Sequence, residues 1–386
     1  MAVTPDALNP PVSLEPWTAG VMRRLRALPY YRAAADRDIR LDFLRGWCIF
    51  SMVVDHAAGQ RSSPIFALTG NGPWPITGAH GFVMLSGIVM GLLYAGIIRK
   101  EGERGALQKL AGRALKLYLV AVGLGLFDIV WTVLPWIGGG ATSFEAIRNV
   151  LLLHSGSDDL MTFYFILVIL AGPVLLALHR RLWPLALGTS IAVWLVHNHD
   201  ERLLNLPVTY FVPVADWQLI FVVGLLIGYH REAIGRRLRG PLRTAFIAGV
   251  MAIFSLTVLI QSNLLFHFVE TPPAWLAQVQ QDGWQGYDHN PPLHMLLVFG
   301  NLTALYYLVS WLWAPLARVA GWFFIPLGQA ALYVYIVHSL LVFYLLALTP
   351  LFGELQGLWL TVSLLGLMLV IWVMVKKQFL FAIIPR

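Results

Sequence analysis

Cysteine is almost missing from this chain. Cys48 is alone among 386 residues, which excludes an intrachain disulfide framework and any thiolate-built metal site. Charge is scarce too: Asp, Glu, Lys and Arg make up 12% of the residues, about half of the roughly 25% found in soluble globular proteins. No phosphate-binding Walker loop, zinc-protease helix or Gly-x-Ser-x-Gly elbow occurs, so the motif-bearing hydrolases and P-loop enzymes are set aside. No repeat of fixed period and no low-complexity stretch interrupts the pattern, so one main domain is expected, and no metal is expected in it. The first 36 residues lack the apolar core of a cleavable signal; they are Pro-rich, then basic through Arg23, Arg24, Arg26 and Arg32. They read as a cytoplasmic tail whose 21–35 stretch has the character of a short surface helix touching anionic lipid.

What the chain has in abundance is apolar side chains: 58% of residues are hydrophobic and the mean hydropathy is +0.70. With 15 Trp and 13 Tyr to populate two membrane–water interfaces, this composition predicts an all-α polytopic membrane protein. Segments of about 20 residues that can span as helices fall at 41–58, 80–98, 115–136, 160–178, 182–197, 216–230, 244–266, 292–313, 329–352 and 357–375. Residues 321–327 either belong to the ninth of these or form a re-entrant piece before Pro326.

With the N-terminus inside, the expected outer loops hold only Arg61, Arg148 and Arg202, and the other 24 of 27 Lys and Arg lie inside or at inner helix ends. The runs 99–116, 179–181, 231–243 and 376–377 carry most of them. About ten crossings would leave both termini cytoplasmic: a tail over 1–38, the membrane domain over 39–376, and a short tail over 377–386. The net charge of +7 then reflects topology, and no nucleic-acid partner is expected. Two long outer loops, 58–79 and 267–291, are rich in Pro, Gly and Trp. The second contains Pro272, Pro273, Trp275, Trp284, Tyr287, Asp288 and His289, which suit stacking on sugar rings, although interface anchoring is the commoner use of such aromatics.

The first apolar segment is unusual for its ionisable residues. It opens Arg40-Leu41-Asp42-Phe43-Leu44-Arg45-Gly46 and closes Asp55-His56. Intramembrane charges are expensive and mark functional sites by default. Eleven residues separate Arg45 from His56, close to three helical turns, so both lie on one face about 16 Å apart. Basic residues at inner helix ends commonly snorkel, and Asp42 has the simpler use of a salt-bridge partner. His56 has no such topological use, and Asp55, one position earlier, points away around the helix. Elsewhere, Ser86 and Gly87 suit a small-residue helix contact, Asn301 and Thr303 suit packing bonds, and His80 and His294 lie at outer helix ends. His338 lies mid-helix behind Tyr333 and Tyr335, and several histidines toward one face favour a polar cavity there.

The opening motif and the Arg-x10-His spacing of Arg45 and His56 resemble membrane acyltransferases of the acyltransferase family 3 type. Within that superfamily the chain is most similar to OpgC-like proteins, which succinylate osmoregulated periplasmic glucans. The similarity is carried by Phe82-Val83-Met84-Leu85-Ser86-Gly87, by Arg113-Ala114-Leu115-Lys116-Leu117-Tyr118, by Trp217-Gln218-Leu219-Ile220-Phe221-Val222-Val223-Gly224, and by Leu327-Gly328 leading to His338. The chain departs from the pattern at Val212-Pro213-Val214-Ala215-Asp216, where an Asn-Pro pair often stands.

The resemblance implies an integral-membrane O-acyltransferase of the plasma membrane. It would move an acyl group, succinyl or acetyl, from cytoplasmic acyl-CoA to hydroxyls of an extracytoplasmic glycan. On that reading Arg45, Arg40, Arg113 and Tyr118 bind the donor. His56 is the general base, with Asp55, Ser86 and His338 as catalytic companions, the oxyanion falling to Ser86, His338 or a backbone amide. Trp217, Gln218 and His80 contact the acceptor. The competing readings are a multi-pass transporter or flippase, whose inverted repeats are not evident here, and an amino-sugar N-acetyltransferase.

Overall fold

The computed structural model describes residues 38–59, 63–69, 76–133, 144–153, 159–200, 202–204, 213–261, 290–347, 356–381 and 384. The basic tail, Arg61, and the aromatic residues expected to line the loop over 267–289 lie outside the described residues. So do the last residues of the third, seventh and ninth expected segments. Among the described residues every element is helical and there is no strand.

Helix α1 (Ile39–Ala58) starts where the Asp38 carboxylate accepts a hydrogen bond from the Arg40 backbone N–H at 3.2 Å. It stops at Gly59, whose φ of 58° suits a residue without Cβ. The short α2 (Phe66–Thr69) follows, and the Thr69 carbonyl accepts from the Ser51 hydroxyl at 2.8 Å. Helix α3 (Gly78–Val133) is helical throughout except at Gly102, where φ 76° and ψ 179° break it. Tyr94 and Arg113, eight residues before and eleven after that glycine, are neighbours, so the two arms fold back on one another. The expectation of two spans joined by a basic loop over 99–116 is corrected here: that run continues the helix on both sides of a one-residue break.

Then come α4 (Phe144–Leu151), α5 (Asp159–His179), α6 (Trp183–His199), α7 (Val214–Tyr229), α8 (Arg231–Arg237), α9 (Gly240–Gln261), α10 (Pro292–Trp311), α11 (Trp313–Val319), α12 (Gly321–Gln329), α13 (Ala331–Ala347) and α14 (Gly357–Lys376). Among the described residues five helices are long and apolar enough to cross a membrane: α3 (counted once), α5, α9, α10 and α14. The bent pair α12–α13 makes a sixth if taken as one broken span. All ten apolar segments read from the sequence are helical over their described parts, but α7 has only 16 residues and α1 carries four charged side chains. The 91° bend between α12 and α13 excludes a straight span from 321 onward and leaves a broken or re-entrant one.

Two close crossings position the bundle. A Cβ built on Gly87 or Gly91 of α3 would lie 2.3 or 2.2 Å from a carbonyl oxygen of α7 (Phe221 or Leu225). A Cβ on Gly224 or Gly228 of α7 would likewise meet the Met84 or Ile88 carbonyl oxygen at 2.4 or 2.0 Å. The helices therefore pack backbone on backbone through paired Gly-x-x-x-Gly stripes, which replaces the water-driven burial that membranes do not provide. The second crossing sets Gly46 of α1 against Gly328 of α12. Cβ atoms there would lie 1.9 Å from the Phe324 oxygen and 1.8 Å from the Asp42 oxygen. Phe43 and Phe50 flank this contact with edge-on packing against Phe324, centroids 5.3 and 5.6 Å apart.

Gly228→Val should therefore separate the α3–α7 pair and lower the unfolding temperature in detergent by several degrees, equivalent to at least ~2 kcal/mol of overpacking. Gly96→Ala, with nothing within 4 Å of the added methyl, should leave it unchanged. Equal melting of both variants, followed by tryptophan fluorescence, would contradict the crossing.

Candidate functional site

His56 lies near the C-terminal end of α1, accessible yet walled by protein on most sides. Its Nδ1 is 2.9 Å from Nε2 of His338 on α13, with ring centroids 5.2 Å apart and planes tilted by 31°. His338 is 1% exposed, and the Tyr335 ring packs edge-on against it at 4.8 Å. The other ring nitrogen of His338, Nδ1, is buried and has no hydrogen-bond partner among the described residues. The expected companion Asp55 is half-buried beside His56, but the His56 Nδ1 position that a carboxylate would occupy in an Asp–His pair is taken by His338. The sequence marked both histidines separately; nothing local linked residues 282 positions apart.

One face of α1 leads from His56 down to Arg45. The Arg45 guanidinium stands over the Phe82 ring at 5.8 Å, and Phe82 packs edge-on to Tyr164 at 5.4 Å. Tyr164 of α5 is buried and has Ser86, Arg45 and Arg113 as electrostatic neighbours. Arg113, from the second arm of α3, also neighbours Tyr94. The structure thus gathers Arg45, Arg113, Ser86, Tyr94 and Tyr164 from three helices. The two tyrosines carried no motif signal and were not anticipated.

Arg40 and Tyr118 are placed elsewhere. Arg40 makes two 2.9 Å bonds to Asp38, donates to the Ser310 hydroxyl at 3.1 Å and sits over the Tyr306 ring at 5.0 Å. Arg231 and the Tyr306 hydroxyl also donate to Asp38, each at 2.9 Å. Burial alone would raise the Asp38 carboxyl, but the bond from Arg40 and the charges of Arg40 and Arg231 outweigh it and hold the group below the usual carboxylate range. Tyr118 donates to the Leu151 carbonyl at 3.0 Å and so ties α3 to α4.

His80, Trp217 and Gln218 are buried at 0%, 0% and 4% exposure and contact protein. His80 stacks on Trp217 with centroids 4.2 Å apart and planes 16° apart. Its Nδ1 accepts from the Thr77 backbone N–H at 3.2 Å, so in the neutral ring Nε2 carries the proton and donates to Asn290 Oδ1 at 3.2 Å. The Asn290 amide donates in turn to Asp216, which also accepts from Asn198 at 3.1 Å. His294 lies 3.3 Å from His80, nitrogen to nitrogen. Gln218 and Ser190 exchange two bonds, of 2.6 and 2.8 Å. This network joins α3, α6, α7 and the start of α10 around a buried carboxylate. Neither Asp216, at the start of an apolar segment, nor Asn290, just before one, was marked as a site residue by the sequence.

Among the described residues no three His, Cys, Asp or Glu side chains gather as metal ligands. A family profile described as OpgC protein matches residues 37–380, which is nearly the whole chain. No curated protein and no solved structure matches.

Two outcomes test the assigned bonds. Asp216→Asn turns one amide N–H against another inside the bundle, and unfolding in detergent should become easier by about 1–3 kcal/mol. Because the Asp38 pKa is depressed on folding, its contribution is full above the ordinary value of 3.8 and is lost as pH falls through the lower folded value. Asp38→Asn should therefore melt below the wild type at pH 7, with the gap narrowing under pH 4. A constant gap would sink the ion-pair assignment.

Proposed function

Since the chain belongs to the OpgC family, whose members modify glucans in the membrane, we propose that it is an O-acyltransferase. In this reading it moves a succinyl group from cytoplasmic acyl-CoA to hydroxyls of an extracytoplasmic glycan. The observation that carries the reading is a single helix face of α1 bearing an enclosed arginine at one level and an accessible, hydrogen-bonded histidine about 16 Å above it. A donor with anionic phosphates at one end and a thioester at the other needs two half-sites set apart in this way.

The proposed arrangement puts about ten crossings in the plasma membrane, both termini in the cytoplasm and the histidine level facing outward, as the distribution of Lys and Arg supports. Arg45 and Arg113 pair with the donor phosphates. Ser86 and Tyr118 belong to the donor side with them, Tyr118 through its hold on α4. Arg40, engaged by Asp38, sets the inner end of α1. His80, Trp217 and Gln218 act on the acceptor side by holding the outer ends of α3 and α7, and Asp55 flanks the base.

At the reaction centre His56 Nε2 takes the proton of a sugar hydroxyl as its oxygen attacks the thioester carbonyl. The carbon–sulfur bond then breaks, the ester remains on the glycan, and the proton leaves with the CoA thiol. The accessible edge of His56 suits a hydroxyl arriving from solvent, and imidazole is suited to proton transfer near neutral pH.

Full-length protein in lipid nanodiscs, given succinyl-CoA and glucan from the cell envelope, should release CoA in step with ester formation. His56→Ala should lower the rate by about 10²–10⁴-fold at unchanged expression and melting temperature. Undiminished ester formation in that variant would remove His56 from catalysis. Glucan translocation without CoA release would favour a transporter.

A further inference from the structure

Neutral imidazole carries one N–H, and which nitrogen holds it decides whether the accessible edge of His56 can accept a proton. The 2.9 Å contact between His56 Nδ1 and His338 Nε2 needs one donor and one acceptor. A base at His56 Nε2 requires that the donor be His56 Nδ1–H and that Nε2 of His338 present its lone pair, with the His338 hydrogen on its own Nδ1. The single hydrogen of the His56 ring is thereby placed on the buried side. Nε2, on the accessible edge, is left as the acceptor.

We propose that His338 is the positioning residue of the site: by accepting from His56 Nδ1 it fixes the tautomer and ring orientation that make His56 Nε2 a base. This rests on the reading of His56 as the base. A neutral imidazole here takes the place that a carboxylate holds in a Ser-His-Asp triad, where losing the correct tautomer costs about 10⁴-fold in kcat. A second histidine performs the orienting task without burying another anion in an apolar bundle, which would be expensive. His338 touches neither donor nor acceptor in this scheme. It acts only through His56.

The place of His338 suits an orienting role. It is 1% exposed and braced by Tyr335, so its ring cannot turn freely. The Gly46–Gly328 backbone contact anchors α1 against α12, and α13, which carries His338, leaves α12 at the bend directly after it.

Four variants of the full-length protein in nanodiscs, assayed with succinyl-CoA and cell-envelope glucan, decide the matter. His338→Gln puts an amide oxygen where Nε2 was and should keep kcat within about tenfold of wild type. His338→Asn is one carbon shorter, reaches only the level of Nδ1, and should lose about 10²-fold or more in kcat, as should His338→Ala. KM for succinyl-CoA should stay within about twofold in all three, since no donor contact is touched. His56→Ala should lose about 10²–10⁴-fold. Equal activity of the Gln and Asn variants, or a KM rise in place of a kcat loss, overturns the positioning role while leaving His56 as base. A His56→Ala protein of undiminished activity overturns the base assignment instead. If His338→Ala does not yield folded protein by size exclusion, the Gln and Asn pair still decides the question.

Discussion

The contact between Gly46 and Gly328 is the constraint on which the proposed site depends. Two helices without side chains at their crossing meet main chain to main chain, and no side-chain adjustment can lengthen or shorten that distance. It fixes α1 against α12, and the 91° bend after Gln329 then sends α13 along the upper part of α1. Where α1 ends, the His56 and His338 rings come within hydrogen-bonding distance. The Gly87/Gly91 and Gly224/Gly228 stripes do the same for α3 and α7. They place Phe82 beside Arg45, and Trp217 against His80.

Polar side chains in the apolar bundle fall into two groups with different uses. One group is closed on itself: Asp216 with Asn290 and Asn198, Gln218 with Ser190, and Asp38 with Arg40, Arg231 and Tyr306. Groups paired in this way register helices against one another, because an unpaired polar atom in an apolar environment costs several kcal/mol. The other group keeps an accessible edge: His56 at one level, Arg113 at another. Closed groups hold geometry, and Arg40, bonded to Asp38, is among them.

How far the sequence could be read depended on distance along the chain. The helix over 39–58, its ionisable residues and the shared face of Arg45 and His56 followed from composition and a period of 3.6, both local properties. The break at Gly102 was hidden because the basic run around it looks like a loop by charge, while helical hydrogen bonding continues on both sides. The network around Asp216 was hidden because its members come from 77–80, 190–198, 216–218 and 290–294, and even the residues marked there, His80, Trp217, Gln218 and His294, gave no sign of one another. That Asp55 diverges from His56 followed from helical geometry alone, whereas the meeting of His56 with His338 did not.

The sequence by itself determined the class of protein, the apolar helical segments and the pairing of Arg45 with His56 on one face. Those features rest on hydropathy and helical period, which neighbouring residues settle among themselves. Tertiary structure alone decided which partner each polar group has, because a buried hydrogen bond joins atoms a few ångströms apart whatever their separation in the chain. It gave His56 an imidazole partner, His338, and bound Arg40 to Asp38 at the end of its own helix.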